Sequence, residues 1–193
     1  MKKNIAILLF DEVEVLDFAG PFEVFAVTDE LRGYETFNVF TVAAEKRPIR
    51  ARNGLSVNPD HAFASCPDPH LLVVPGGFGT RALLKHTHSL DWIRATAARA
   101  EIVMSVCTGS LVLAKAGLLD GLRATTHHEC LAMLRKLAPD TEIAAGERFT
   151  DNGKILTAAG ISAGIDCALH LVGRLLGEAV AAKTARYMEY RRA

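Results

Sequence analysis

The sequence contains no CxxC pair, no apolar stretch long enough to cross a bilayer, no long Pro, Gly or Ser linker and no excess of either charge. Each absence narrows the possibilities. Cys66, Cys107, Cys130 and Cys167 are widely spaced and no secretory signal accompanies them, so a disulfide framework is disfavoured. The opening "MKKNIAILLFDEVEVLDF" looks briefly like a leader, but its apolar run stops at Asp11 and Glu12 without a small-residue cleavage site. The expectation is a cytoplasmic protein with no membrane partner. Twenty-two basic residues balance 22 acidic ones, which argues against an extended nucleic-acid surface, and the Arg191-Arg192 pair after "ARYMEY" is too little for a nucleic-acid module. The 193 residues are enough for one substantial core, and a single domain over 1–193 is expected.

Several short apolar runs alternate with helical patterns. "NIAILLF", "ETFNVFTVAA", "HLLVVP", "EIVMSV" and the stretch around "LRATT" read as strands, and Leu90 to Ala100 and Ser110 to Ala116 as helices. A helix is expected to begin near Pro21, since proline suits a first helical turn, after a turn through Asp11 to Asp17. "AGISAGIDCALHLVGRLLG" and "EAVAAKTARYMEY" supply two further helices, preceded by an "ERFTDNGKILTA" hairpin in which Asn152-Gly153 favours the positive backbone angles of a tight turn. The fold class expected is an α/β sandwich: a mostly parallel central sheet flanked by helices, with a small hairpin.

"SVCTGS" places Cys107 between an apolar strand and a small-residue turn into a helix. Such a junction can hold a nucleophile at a sharp elbow, where helix-end N–H groups favour the thiolate; a small buried cysteine supporting the turn fits equally well. In "LLVVPGGFGTRALL", Gly76 and Gly77 end another apolar strand, where missing side chains would let a ligand approach backbone N–H groups. A plain glycine turn is the alternative, and the Gly spacing and Lys of a phosphate-binding loop are missing. His127, His128 and Cys130 do not amount to three convergent ligands, and no metal is assigned.

In order along the chain, "LDFAGPFEVF", "VVPGGFG", "VMSVCTGSLVLAKAGLLDGLRATTHH" and "TAAGISAGIDCALHLV" resemble the DJ-1/PfpI superfamily, particularly its isocyanide hydratase branch, over essentially all 193 residues. The resemblance implies a flavodoxin-like fold, a homodimer and Cys107 as the nucleophile. It makes Asp17 the acidic residue beside the cysteine, and Gly76, Gly77, Thr108 and Gly109 the backbone pocket. A turn or helix cap is the other ordinary use of Asp17. PfpI-type peptidases carry His directly after the nucleophile, whereas this chain has Thr108, which moves the expectation away from proteolysis. His127 and His128 fall where some members of the superfamily place an active-site histidine, and His128 stands where a related hydratase pattern can have an aromatic residue.

The activity implied is hydration of a small organic isocyanide to a formamide. It exchanges protons and water without hydride transfer, so no cofactor is expected. A glyoxalase or amidase using the same elbow, and a non-catalytic ligand sensor or stress-protection protein, are the alternatives.

Overall fold

The computed structural model describes residues 1–192. In chain order its strands are β1 (Lys3–Leu8), β2 (Phe37–Ala43), β3 (Ile49–Arg50), β4 (Ser56–Val57), β5 (His61–Ala62), β6 (Leu71–Val74), β7 (Ile102–Val106), β8 (Arg123–Ala124), β9 (Glu142–Ile143), β10 (Phe149–Asp151) and β11 (Ile155–Ala158). The helices are α1 (Val15–Glu30), α2 (Thr80–Leu83), α3 (Thr87–Arg99), α4 (Gly109–Lys115), α5 (Leu131–Leu137), α6 (Ala163–Leu176) and α7 (Glu178–Tyr187).

Seven strands form one sheet in the order β10-β11-β7-β6-β1-β2-β5. All neighbours run parallel except β10, which pairs antiparallel with β11. β6 and β7 are buried at every position, as the continuous apolar runs "LLVV" and "IVMSV" require of strands covered on both faces. Two groups of helices cover them: α1, α6 and α7 pack on one another, and α2 contacts α3 and α4, with α4 in turn on α5. The chain passes from β1 to β2 on one side and later returns to place β6 on the other. The crevice outside the carboxyl ends of β1, β6 and β7 is therefore where an open parallel sheet binds ligands.

Several boundaries differ from those the sequence suggests. α1 starts at Val15, so Pro21 lies inside the helix, with no N–H to offer the Asp17 carbonyl one turn back. The early start is a tertiary effect: Glu14 N–H donates to Gly76 C=O at 2.9 Å and Val13 bridges Gly77, which pins the helix entry to the glycine loop. Asp17 consequently sits in a first helical turn. The "LRATT" stretch contributes only β8, which leaves the main sheet and pairs with β9 in a separate two-stranded one. The hairpin joins the main sheet, with β11 parallel beside β7 and β10 at the edge. At its turn Gly153 alone takes a positive φ, +83°, while Asp151 Oδ1 accepts from the Gly153 N–H at 2.8 Å. "AGIS" lies outside α6. Leu169 and Val172 of that helix are fully buried within the chain, whereas Ile165 is half-buried and Ile161, just before it, is exposed.

Gly109 opens α4 where the turn presses on the end of β6, and a Cβ there would run into the Val74 carbonyl oxygen. Backbone on backbone cannot be relieved by a rotamer change. Gly109→Ala is expected to destabilise the fold by roughly 2–3 kcal/mol, read from urea unfolding midpoints; an unchanged midpoint would contradict this packing.

Candidate active site

Cys107 closes β7 with φ +54°, a left-handed conformation that costs a residue with a Cβ about 1–2 kcal/mol. Its surroundings hold it there. The Cys107 N–H donates to the carbonyls of Ala159 (2.8 Å) and Ala158 (3.1 Å) at the end of β11, and its carbonyl accepts from Thr126 Oγ1 (2.9 Å) and Ser110 Oγ (3.1 Å). This is the geometry of a nucleophile elbow: a strained strand-to-helix turn whose side chain is set at the top of the sheet. The backbone N–H groups of Thr108 and Ile161 point to the sulfur and favour its ionised form.

Asp17 is fully buried. Its burial follows from α1 itself, whose inward face runs through Asp17, Gly20, Pro21, Val24 and Thr28 at helical spacing. Oδ2 accepts from the Gly76 N–H at 2.9 Å. Among the described residues Oδ1 has no conventional partner, and the Cys107 thiol is the weak donor facing the carboxyl group. Burial, helped by the negative charge of Glu14, pushes the Asp17 carboxyl up to about 7 against the pull of Gly76 and the thiol. Burial, and then the charge of Asp17, pushes the Cys107 thiol up to about 12. The helix-end N–H expected to favour a thiolate is present, but desolvation outweighs it. Two ionisable groups in one buried site lose their protons in separate steps, so between these values the pair holds a single proton.

The glycine loop serves this pair from behind. Gly76 N–H is taken by Asp17, and Gly77 N–H donates to Thr108 Oγ1 at 2.9 Å. Thr80 Oγ1 donates to the Gly77 carbonyl at 2.8 Å and lies 3.3 Å from Thr108 Oγ1. The two amides expected to face a ligand thus fix Asp17 and Thr108 instead. Missing side chains are necessary here: a Cβ on Gly76 would meet Thr108 N at 2.5 Å, and Gly77 has φ +123°.

A cleft of about 360 Å³ opens beside the elbow, bounded by residues 125–128, 146–148 and 159–161. His127 and His128 both line it, with ring centroids 4.3 Å apart. His127 also caps the following turn, Nδ1 accepting from the Glu129 N–H at 3.3 Å. Sequence reasoning missed three contributors. Thr80 and Thr126 fix the loop and the elbow through hydroxyls, and Ile161 aims an N–H at the sulfur from φ +45°. Thr126 lies within "ATTHH", so its place between β8 and the histidines was a usable signal; nothing in a β-branched residue announces a positive φ. Neither Asp17 nor Cys107 lines the cleft beside the elbow or a second, largely apolar cavity of about 310 Å³ that includes Gly79, Phe10 and Phe63.

An α/β sandwich with a strained cysteine at the carboxyl end of a central parallel strand, faced by a buried carboxyl group, defines the class of protein. The chain belongs to the DJ-1/PfpI family, whose model matches residues 3–174. It is 39% identical over 190 residues to an isonitrile hydratase of Pseudomonas putida, covering 98% of this chain and 79% of that one. A THiJ/PfpI family protein from Pseudomonas syringae superposes with a TM-score of 0.90 at 31% identity, covering 100% of this chain and 77% of that one. An HTH-type transcriptional regulator of Pseudomonas aeruginosa is 31% identical over 191 residues, 98% of this chain but 51% of that protein, so this chain spans about half its length. Among the described residues no helix is long and apolar enough to cross a membrane.

The raised Asp17 value has a thermodynamic consequence. Its folded value, about 7, lies above the ordinary 3.8, so the stability this group contributes is fully present below about pH 4 and is lost as pH rises through 7. Asp17→Asn lacks that loss and should gain stability relative to wild type between pH 4 and pH 8, by on the order of a few kcal/mol. Urea midpoints at both pH values test this, and a variant no more favoured at pH 8 than at pH 4 would contradict the buried carboxyl account.

Proposed function

We propose that the protein hydrates organic isocyanides to N-substituted formamides, with Cys107 as nucleophile and Asp17 as proton carrier. The observation that carries the reading is the buried carboxyl of Asp17 set against the Cys107 thiol, which faces the otherwise unpartnered Oδ1. The isonitrile hydratase similarity supports the substrate class, and Thr108 in place of a histidine supports a chemistry that needs no Cys-His dyad.

Isocyanide carbon is both electrophilic and basic. In the first step sulfur bonds to the terminal carbon and the proton shared with Asp17 passes to that same carbon, which gives a thioimidate, R–N=CH–S–Cys107. Asp17 is then a carboxylate that takes a proton from water as the water oxygen bonds to the carbon and passes it to the nitrogen, giving R–NH–CH(OH)–S–Cys107. The tetrahedral adduct expels the sulfur, its hydroxyl proton passes through Asp17 to that sulfur, and R–NH–CHO leaves. One water is consumed and no electrons are transferred. The Thr108 and Ile161 N–H groups steady the sulfur as it becomes a leaving group, and a carboxyl value near the working pH lets one residue both give and take the proton.

The kinetic expectations are specific. Cys107→Ala abolishes formamide production, and Asp17→Asn lowers kcat/KM by about 10²–10⁴-fold, the range for a lost acid-base group. Wild-type kcat/KM rises with pH through about 7 as the pair loses its first proton, and Asp17→Asn loses that limb. Product identification on aromatic and aliphatic isocyanides tests this, with α-oxoaldehydes and amides in parallel. A Cys107→Ala protein that still made formamide would contradict covalent catalysis, and lactate-type or acyl-transfer products would favour the glyoxalase or amidase chemistry. The similarity to an HTH-type regulator favours one second reading, ligand sensing. It would be preferred if Cys107→Ala kept ligand binding while wild type turned over none of these compounds.

A further inference from the structure

The cleft beside the elbow is built from side chains that the proposed chemistry does not use. It reaches the reacting sulfur through two residues. Thr126 lines it and holds the Cys107 carbonyl, and Ile161 lines it and presents its N–H to the sulfur. An isocyanide attacked at its terminal carbon has one other end, the substituent on nitrogen. The open volume next to the elbow is where that substituent has room to lie.

The charges along the cleft are already matched within the protein. Arg148 pairs with Asp166, its Nε donating to Oδ2 at 2.9 Å, and Glu147 is held by the Arg123 guanidinium. Besides His128, what remains are the donors of His127 and Thr125. His127 Nδ1 accepts from the Glu129 N–H, so the neutral ring carries its proton on Nε2, and that nitrogen lies with the ring edge over Gly160. Gly160 is required there, because a Cβ would come within 2.6 Å of His127 Cδ2. Thr125 is buried, donates its N–H to Thr157 Oγ1, and makes no hydrogen bond through its own hydroxyl among the described residues. A hydrocarbon substituent would cover these donors without satisfying them, whereas an oxygen acceptor one or two atoms from the isocyanide nitrogen would satisfy them.

We infer that this cleft is the subsite for the nitrogen substituent and selects isocyanides that carry a carbonyl or carboxyl oxygen close to the nitrogen, with His127 Nε2–H and the Thr125 hydroxyl as the recognising donors. The inference rests on the hydratase reading. Its specificity arises at residues outside the Asp17–Cys107 pair.

The test compares isocyanoacetate and isocyanoacetamide with n-propyl isocyanide in wild type, His127→Asn and Thr125→Val. Asparagine keeps an acceptor for the Glu129 N–H but lacks the reach of Nε2–H. Wild type should favour the oxygen-bearing substrates by about 5- to 10-fold in kcat/KM, the value of one well-placed hydrogen bond, and each variant should shrink that ratio toward one. An equal rate on all three in wild type, or a ratio that survives in both variants, overturns the inference. Calorimetry with Cys107→Ala protein provides a readout independent of turnover, using N-formylglycine and N-formylglycinamide against N-propylformamide. If wild type hydrates none of the isocyanides while the formylated glycine compounds still bind more tightly, and His127→Asn removes the difference, the hydratase reading fails and the subsite stands. Absence of both turnover and binding preference overturns both.

Discussion

The site depends on holding one residue, Cys107, in a left-handed conformation at the end of a fully buried strand. The cost of that backbone is met by a ring of hydrogen bonds drawn from three separate parts of the chain: the end of β11, the start of α4 and the stretch before the histidines. Because β11 and β7 are parallel neighbours, the carbonyls of Ala158 and Ala159 arrive beside the Cys107 N–H as a consequence of sheet register. The elbow is therefore a property of the sheet rather than of "SVCTGS" alone. The tight seat of Gly109 under the Val74 carbonyl follows from the same crowding.

A second constraint is electrostatic. The fold removes Asp17 from water, gives it one backbone hydrogen bond and sets it against a thiol that is itself buried. Neither group ionises at its ordinary value, because burial disfavours charge on both. Gly76, Gly77, Thr80 and Thr108 act on this arrangement indirectly by fixing where the carboxyl and the elbow lie. A loop that looked in sequence like a ligand cradle is, in the folded protein, the frame that positions two side chains.

The strands were legible where burial on both faces produces an unbroken apolar run, as in "LLVV" and "IVMSV", and the helices where periodicity was strong, as in α3 and α6. The start of α1 was not, since Pro21 marks a helix entry by local rules while contacts from Gly76 and Gly77 pull the real entry back to Val15. The strand in "LRATT" was legible but its sheet was not, as two residues with strand character pair wherever the tertiary structure offers an edge. Cys107 stood out from its residue pattern, but Asp17 gained its place only from resemblance, because burial of a carboxyl group leaves no local mark. The N–H of Ile161 and the hydroxyl of Thr80 act through geometry that no spacing rule expresses.

The most direct test of the shared proton is the pH dependence of Cys107 alkylation by a small haloacetamide, followed in wild type and Asp17→Asn. If the Asp17 carboxylate takes the thiol proton, wild-type alkylation rises through about pH 7 as that carboxyl ionises, and the variant, with no carboxylate to accept the proton, loses this rise. A wild-type profile with no rise near pH 7, or a rise near pH 7 that Asp17→Asn retains, would contradict the account.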